Sequence, residues 1–240
     1  MRLSYIKSSL RGKQPYFKDE EFEVMMDVLR HSCGGEVFND GAGIDVDLVL
    51  LKAYGIEPDF VPMAPELLGR TKFYPDGSAV IEINRKLADA AEVEDIARRR
   101  LRTTLAHEAG HICCHRDIFL KDTSTLSLFD DPMHNKMNQV ILCRQEAVGN
   151  RHYAGEWWEY QANRCMASLL LPKHLIKEKV DALLGKRQEL SMKDAIRKGT
   201  AVSVIRRLAD VFDVSFEATV YRLKDLGYIP DEFQMDLDLM

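Results

Sequence analysis

Apolar residues recur at helical spacing along the first quarter of the chain and predict two helices. Phe22 and Met26 lie on one face of a predicted amphipathic helix over residues 18–31. A second predicted helix begins after Asp45, a favourable N-cap, and ends at Gly55, a residue type that often follows a helix. A Gly-rich loop is predicted between the two helices.

Further along, the pattern predicts a hairpin and then a long helix. Residues 71–74 and 78–84 flank a Pro-Asp-Gly turn and predict the two strands of a β-hairpin. From Asp95 onward, apolar residues that include Leu105 and Ile112 recur at helical spacing without a proline. Helices combined with a small sheet indicate an α+β protein.

The long predicted helix carries the sequence His-Glu-Ala-Gly-His at residues 107–111. His107 and His111 lie one turn apart on the same helix face, so both imidazoles can reach one metal ion. Glu108 lies beside them and can hold and deprotonate a water molecule. This arrangement is typical of zinc metallopeptidases. The alternative interpretation is a solvated helix face that carries two histidines.

A catalytic zinc ion needs a third protein ligand and keeps one position for water. A further helix is predicted over residues 157–171, ended by Pro172. Glu159 and Asn163 lie one turn apart on this helix. Glu159 can complete the metal site, and Asn163 can accept a hydrogen bond from the outer ring nitrogen of a ligand histidine. The alternative is an ordinary amphipathic core helix with a surface glutamate.

Other metal-binding residue types lie close to the motif. His115, one turn beyond His111, could be a spare ligand, a group that supports a ligand, or a packed histidine. The last two roles are favoured because Glu159 already supplies the third ligand. Cys113 and Cys114 are interpreted as small buried residues rather than as thiolate ligands.

Composition and charge narrow the class of protein. The chain has 240 residues, enough for one or two domains with an ample core. Its five cysteines are scattered and predict no disulfide framework. No apolar run reaches the length of a membrane span and the N-terminus lacks an apolar signal core, so we expect a cytoplasmic protein without a membrane partner. The net charge of −5 argues against non-specific nucleic-acid binding.

Two stretches of the chain resemble the ImmA/IrrE metallopeptidase family. They are Thr-Leu-Ala-His-Glu-Ala-Gly-His-Ile-Cys-Cys-His at residues 104–115 and Glu-Tyr-Gln-Ala-Asn-Arg-Cys-Met-Ala-Ser-Leu-Leu-Leu-Pro at residues 159–172. The resemblance extends over residues 43–229 and is clearest in these two stretches. The second stretch has Gln161 where the family often has a second glutamate, and Asn163 where related zinc peptidases often have aspartate.

The resemblance implies the roles of the site residues. His107, His111 and Glu159 would hold the metal, and Glu108 would be the catalytic base. Zinc is the implied cofactor, and manganese or iron could bind the same ligand set. The implied activity is limited proteolysis of a helix-turn-helix transcriptional repressor, often encoded nearby on a mobile element. The expected partner is therefore a protein substrate.

The resemblance also implies the architecture. We expect an α+β fold with a minimal zincin-like core, in which the metal helices pack on a small antiparallel sheet. The expected division is an N-terminal helical extension at residues 1–42, a metallopeptidase core at 43–175 and a helical, helix-turn-helix-like subdomain at 176–240. By the same resemblance, the strand at residues 79–84 would offer an edge to an extended peptide substrate; a wholly structural hairpin is the alternative.

The C-terminal third leaves a second function open. Residues 202–212 and 216–226 predict a helix-turn-helix-like pair in which Arg222 and Lys224 could read DNA. Acidic residues interrupt any basic stripe there, so a structural or protein-binding role is favoured. The alternative function is a DNA-binding or repressor-sequestering regulator with a non-proteolytic zinc site. The interrupting residues are Asp210, Asp213, Glu217 and Asp225.

The segment of residues 116–156 and the chain's acidic tail carry no assigned role. The segment is long enough for a lid or specificity loop, or it is a decoration, and it contains a possible strand at residues 139–143. His152, Tyr153 and Tyr160 are candidates for stabilising an oxyanion, although each could equally be a packed aromatic or a surface group.

Overall fold

The computed structural model describes residues 4–6, 14–38, 43–74, 76–119, 139–144, 156–184, 200–230 and 233. Most of the segment 116–156, with His152 and Tyr153, lies outside the described residues, as does the tail apart from Phe233. Within the described ranges the chain has an α+β fold with eight α-helices and a four-stranded mixed sheet.

The elements that the sequence predicts are present, with bounds that agree to within a few residues, and several further elements have no counterpart in the prediction. The helices are α1 (Asp19–Cys33), α2 (Val46–Tyr54), α3 (Arg85–Ala91), α4 (Asp95–Phe119), α5 (Trp157–Leu170), α6 (Lys173–Leu184), α7 (Ala201–Phe212) and α8 (Phe216–Asp225). The strands are β1 (Ser4–Ile6), β2 (Gln14–Tyr16), β3 (Asp59–Val61), β4 (Leu67–Phe73), β5 (Ala79–Asn84) and β6 (Gln139–Arg144). A short 3₁₀ turn, Gly35–Val37, follows α1.

Local chemistry explains several of these bounds. The Asp45 side chain accepts a hydrogen bond from the Leu48 N–H at the start of α2, which satisfies one of the free amides of the first turn. Gly55 ends α2 in the left-handed region, with φ of 66°. Both predicted ends of this helix are therefore confirmed.

The sheet has the strand order β3-β5-β4-β6. The predicted hairpin is confirmed as β4 and β5, and the Tyr74 N–H donates to the Ser78 carbonyl at 3.0 Å where it closes. β6 confirms the possible strand at residues 139–143 and pairs antiparallel with β4. β3 pairs parallel with β5, so the expectation of a purely antiparallel sheet is wrong. After β3 the chain forms β4, two positions away in the sheet, and then returns as β5 between them. β5 therefore runs antiparallel to β4 and parallel to β3.

The position of β5 also differs from the prediction. β5 lies between β3 and β4, so the expectation that the whole of residues 79–84 forms an edge open to a peptide is wrong. β3 has only three residues, too few for a clear alternating pattern, and it covers β5 from Glu82 to Asn84. The open edges of the sheet therefore belong to β3 and β6 among the described strands.

Helices α4 and α5 pack against each other unusually closely at Gly110. A Cβ atom at this position would lie 2.7 Å from the Ala162 carbonyl oxygen and 3.0 Å from the Cys165 Cβ. No side chain fits in that space without moving the neighbouring backbone. Gly110 therefore sets the short separation between the two helices, and that separation brings together side chains from both.

Two buried arginines satisfy backbone carbonyls at the C-terminal end of α5. Arg30 of α1 donates to the Ser168 and Leu169 carbonyls at 2.6 and 3.1 Å. Arg222 of α8 donates to the Leu171 carbonyl at 2.9 Å and forms an ion pair with Glu23 of α1. Because the last carbonyls of a helix lack partners within the helix, these contacts fasten α1 and α8 to the end of α5.

The helix-turn-helix-like pair is present as α7 and α8. Asp213 ends α7 in the left-handed region, with φ of 51°, and the Ser215 side chain caps α8 by accepting from the Ala218 N–H. The Asp213 carboxylate also accepts hydrogen bonds from arginines of α4. These contacts hold the turn of the pair against the N-terminal half of the helix that carries the metal motif. The arginines are Arg98, Arg99 and Arg102.

Burial removes one of the two residues on which the DNA-reading alternative depends. Arg222 is 1% exposed, and its guanidinium faces Glu23 and the end of α5 rather than solvent. It therefore cannot reach a DNA groove in this structure. Among the described residues, no helix combines the length and the apolar character needed to cross a lipid bilayer.

Candidate metal centre

The metal motif lies at the buried interface of α4 and α5. His107, Glu108 and His111 are all 0% exposed. Helical spacing places the two histidines on the face of α4 that meets α5, and the close packing at Gly110 brings α5 within reach of both. Residues 107–111 therefore do not form a solvated helix face.

Glu159 extends from the first turn of α5 to the two histidines. Its Oε2 lies 3.0 Å from the His107 Nε2, and its Oε1 lies 3.4 Å from the His111 Nε2. The two Nε2 atoms are themselves 3.0 Å apart. Among the described residues, His107, His111 and Glu159 form the one group of three such side chains close enough to hold a metal ion.

The geometry of this cluster fits a zinc ion. Tetrahedral zinc with bonds of about 2.0–2.1 Å separates its ligand atoms by about 3.3 Å. The two Nε2 atoms lie 3.0 Å apart, and each has a Glu159 oxygen within 3.0–3.4 Å, which is near that separation. The Glu159 Oε1 is buried and has no hydrogen-bond partner in the described part of the chain. A buried carboxylate oxygen without a partner is costly, and a cation bound between these atoms would remove that cost.

Asn163 fixes the orientation of His107. Its Oδ1 lies 3.0 Å from the His107 Nδ1, and a carbonyl oxygen can only accept. The proton of a neutral His107 is therefore on Nδ1, which leaves the Nε2 lone pair directed at the cluster. The structure thus places Asn163 in the contact that the sequence predicts for it.

A longer chain of hydrogen bonds fixes the orientation of His111. Gln161 Nε2 donates to the Pro15 carbonyl at 2.7 Å, so its Oε1 is free to accept from the His115 Nε2 at 3.1 Å. His115 then presents an unprotonated Nδ1 to the His111 Nδ1 at 3.1 Å. Burial lowers the pKa of His115 well below its ordinary value, which agrees with a neutral ring. His111 therefore also directs its Nε2 lone pair at the cluster.

Glu108 is held by the sheet. The Thr71 hydroxyl of β4 donates to Glu108 Oε2, while Oε1 is buried and has no hydrogen-bond partner among the described residues. Gly69, two residues earlier on β4, leaves space beside that oxygen, because a Cβ there would lie 3.2 Å from Glu108 Oε1. One carboxylate oxygen is thus fixed, and the other is available for a water molecule.

The protonation of the two acids differs with their surroundings. Burial raises the pKa of Glu108 above its ordinary value, although the neighbouring histidines lower it in part. Burial also acts to raise the pKa of Glu159, but the adjacent imidazoles of His107 and His111 outweigh it and hold that pKa well below its ordinary value. Glu159 is therefore the permanently charged member of the pair, and Glu108 is the one suited to exchange a proton.

The cysteines and Tyr160, the other candidates from the sequence, do not belong to the cluster of His107, His111 and Glu159. The Sγ atoms of Cys114 and Cys165 lie 3.3 Å apart, where they join α4 to α5, and Cys113 is half-buried nearby. The Tyr160 hydroxyl donates to Asp19 at the start of α1, which directs it away from the metal ligands. Of the three candidate oxyanion donors, Tyr160 is the one within the described residues.

Sequence reasoning missed four groups at this site. Thr71 and Gly69 lie on a strand distant in sequence from the motif, and no local pattern links them to Glu108. The Pro15 carbonyl is a backbone group and has no sequence signature at all. Gln161 could have been found, since it departs from the family pattern in the helix that carries Glu159.

A comparison with protein-family models agrees with the geometry. The model of the peptidase M78 family, described as the IrrE N-terminal-like domain, matches residues 69–224, which is more than half of the chain. The chain belongs to the ImmA/IrrE family. The resemblance predicted from the two motifs is therefore confirmed, and the family is one of metal-dependent peptidases. No curated protein matches the chain.

The region that matches the ImmA/IrrE family model includes most of the elements around the site. The matched region begins at Gly69, within β4, and ends at Lys224, within α8. It contains both metal helices and the two strands nearest Glu108. It also contains the C-terminal helix pair, so that pair is part of the family's shared region.

Proposed function

We propose that this ImmA/IrrE protein is a zinc-dependent endopeptidase that performs limited proteolysis. His107, His111 and Glu159 hold the zinc ion, and Glu108 is the catalytic base. Asn163 acts through His107 as a positioning residue. Residues 43–175 supply this catalytic core, with residues 1–42 and 176–240 as flanking helical parts.

The observation that carries the proposal is the state of Glu108. Structural zinc sites are closed by four protein ligands and need no acid beside them. Here the described residues offer three ligand atoms, and a fourth side chain, Glu108, is buried beside them with one oxygen unpartnered. A buried carboxylate oxygen without a partner destabilises the fold, so its presence supports a chemical role.

The chain's own residues provide the proton transfers that peptide hydrolysis requires. When bound, a zinc ion would polarise the scissile carbonyl and acidify a water molecule. Glu108 accepts the proton of that water at Oε1, while Thr71 holds Oε2 and prevents the carboxylate from rotating. Glu108 then returns the proton to the leaving amine. Glu159 remains ionised throughout because its pKa is held low.

We propose a helix-turn-helix transcriptional repressor as the substrate. This proposal is supported by the family to which the chain belongs and by the burial of Arg222, which disfavours direct DNA reading. Cleavage of a repressor would make the protein a regulator of transcription without DNA contact of its own. The gene of such a repressor is expected near the gene of this protein, for example on a mobile element.

Metal analysis tests the ligand set. We expect about one zinc ion per chain in the parent protein and a large loss in Glu159→Ala. Glu156→Ala is the matched control, since Glu156 is exposed at the N-terminus of the same helix. Full zinc content in Glu159→Ala would exclude Glu159 as a ligand and make His115 the next candidate for the third ligand.

A cleavage assay tests the activity. The parent protein, incubated with a purified helix-turn-helix repressor encoded beside it, should shorten the repressor to discrete fragments that mass spectrometry can place. Glu108→Gln should abolish cleavage and keep its zinc and its melting temperature. Persistent cleavage by this variant would exclude Glu108 as the base. Binding of the intact repressor by both proteins without cleavage would instead favour sequestration.

A further inference from the structure

β4 is the strand that approaches the proposed catalytic acid. Its Thr71 hydroxyl donates to Glu108, and its Gly69 lies against the other carboxylate oxygen of the same residue. Helical backbone engages its carbonyls in internal hydrogen bonds, whereas extended backbone exposes them for attack, so a peptide substrate is expected to reach Glu108 in an extended form. Addition of such a peptide as a strand beside β4 is the direct way to hold it there.

The direction of the backbone groups of β4 defines where a peptide could pair. The Tyr74 N–H donates to Ser78 in the turn to β5, and antiparallel pairs alternate in direction along a strand. Arg70 and Lys72 therefore direct their N–H and C=O groups at β5. The groups of the alternate residues of β4 point to its opposite edge. These residues are Gly69, Thr71 and Phe73.

In this structure β6 occupies that edge. The register sets Thr71 opposite Ile141, with Gly69 opposite Cys143 on one side and Phe73 opposite Gln139 on the other. Ile141 is 7% exposed, so this strand is part of the packed structure at its centre. β6 comes from the segment between the two metal helices and carries no proposed ligand. It runs antiparallel to β4, and its central residue lies directly opposite the residue that holds Glu108.

We propose that β6 is an internal occupant of the peptide-binding edge of β4, so that the chain inhibits itself until β6 is displaced. The inference rests on the proposed peptidase function. Because β6 belongs to the same chain, its effective concentration at the edge is high, in the millimolar range for a short tether, and a free peptide competes poorly. The partner that fits the vacated edge is an extended, apolar, β-forming peptide of the kind that Gln-Val-Ile-Leu-Cys-Arg represents.

The pairing pattern supplies a matched pair of proline variants. Ile141 directs its N–H at β4, whereas the N–H of Leu142 points away from β4, where proline is tolerated on an outer strand. Ile141→Pro should therefore release β6 from β4, and Leu142→Pro should leave it paired. Ile141→Ala controls for the loss of the buried side chain without the loss of the N–H.

A binding assay in the Glu108→Gln background keeps the test independent of catalysis. The probe is a fluorescein-labelled peptide with the sequence of residues 139–144, carrying Cys143→Ser. We expect Ile141→Pro to bind this probe at least tenfold more tightly than Leu142→Pro, Ile141→Ala or the background protein. Equal binding by all four proteins would overturn the proposal.

Hydrogen exchange measured residue by residue gives a second readout. Ile141→Pro should expose the amides of Gly69, Thr71 and Phe73 to exchange and leave those of Arg70 and Lys72 protected by β5. Adding the probe should restore protection at the first three. If the first three stay exposed with the probe present, the edge does not accept a peptide and the proposal is wrong.

Peptidase activity then separates the two proposals. With a fluorogenic peptide substrate and an intact Glu108, Ile141→Pro should raise kcat/KM at least tenfold over Leu142→Pro. Tighter probe binding without any cleavage would support β6 as the occupant and count against the peptidase function. A fall in kcat/KM specific to Ile141→Pro would mean that substrate pairs with β6 itself, which would overturn the inference.

A cleavable form covers the case in which Ile141→Pro does not fold. Sites for a sequence-specific protease, inserted within residues 120–138 and 145–155, allow β6 to be cut free in the folded parent protein. The probe should then exchange with the freed strand and bind, whereas the uncut protein should not bind it. No exchange after complete cutting would overturn the proposal.

Discussion

The Thr71 hydroxyl donates a hydrogen bond to one carboxylate oxygen of Glu108, which ties the centre of the sheet to the acid of the metal motif. The contact crosses from β4 to α4 and leaves the second oxygen of Glu108 without a partner in the described part of the chain. Because Thr71 holds Oε2, the Glu108 carboxylate cannot rotate freely, and its Oε1 stays in a fixed place for proton transfer.

Replacing this hydroxyl by a methyl group tests its contribution. Thr71→Val has nearly the same shape but cannot donate, and a lost hydrogen bond to a charged group corresponds to about 1.5–3 kcal/mol. We therefore expect kcat/KM for peptide cleavage to fall by about 10–100-fold, with zinc content unchanged. Thr71→Ser keeps the hydroxyl and should retain most of the activity. Equal activities of the two variants would remove Thr71 from the mechanism.

The hydrogen-bond chain behind His111 should control metal affinity. Gln161→Leu leaves His115 without its acceptor, so the ring of His111 is no longer held in one tautomer. Loss of such supporting groups typically weakens metal binding by about 10–100-fold. Competition with a fluorescent zinc chelator measures the change. Gln161→Glu still accepts from His115 and should lose less affinity; an equal loss would indicate that packing, rather than the hydrogen bond, supports the site.

The separation between α4 and α5 should be sensitive to the addition of a single methyl group at Gly110. Gly110→Ala gains about 1 kcal/mol in helix propensity, but its Cβ would meet the Ala162 backbone at 2.7 Å. Overpacking costs about 1–3 kcal/mol, so we expect a net loss in the free energy of unfolding and weaker zinc binding. Gly35→Ala is the control, since nothing lies within 4 Å of a Cβ there. A stabilised Gly110→Ala would show that the helices can separate freely.

The buried ion pair between α1 and α8 predicts a loss of stability in acid. Burial acts to raise the pKa of Glu23, but Arg222 and the Ser168 hydroxyl outweigh it, so the pKa lies below the ordinary value of 4.5. Folding therefore favours the charged form. The resulting stability is fully present above pH 4.5 and is lost as pH falls through the lower, folded-state pKa.

Urea unfolding over a pH series checks this prediction. Glu23→Gln should lower the free energy of unfolding by about 2 kcal/mol near neutral pH, because Arg222 stays buried beside a neutral group. Its stability should also fall less steeply than that of the parent below pH 4.5. Glu20→Gln, on the exposed side of the same helix, should behave as the parent. Parallel pH curves for parent and Glu23→Gln would contradict the prediction.

The parts of the fold set by local pattern could be predicted from the sequence. Helix α5 ends where Pro172 prevents continuation, and α4 follows its apolar spacing without a break. Because a helix fixes the relation of residues four apart, the sequence alone pairs His107 with His111, and Glu159 with Asn163. Packing of α4 on α5 then brings the two pairs together at one interface.

The parts that depend on long-range contacts could not be predicted. β3 is too short to carry a periodic signal, so local pattern indicates neither its pairing with β5 nor the mixed character of the sheet. Which strand faces Glu108 depends on how the sheet lies on α4, and that packing places Thr71 rather than a residue of β5 beside the acid. The burial of Arg222 likewise depends on Glu23, which is 199 residues away in sequence.

The Pro15 carbonyl accepts the last hydrogen bond in the series that runs from His111 through His115 and Gln161. The N-terminal strand pair therefore influences the candidate metal centre. β2 is only three residues long and pairs with nothing larger than β1 in its sheet. Removal of the first sixteen residues would leave Gln161 without this anchor and free His115 to change tautomer. A three-residue strand near the start of the chain thereby takes part in holding the ring of His111, about a hundred residues further along.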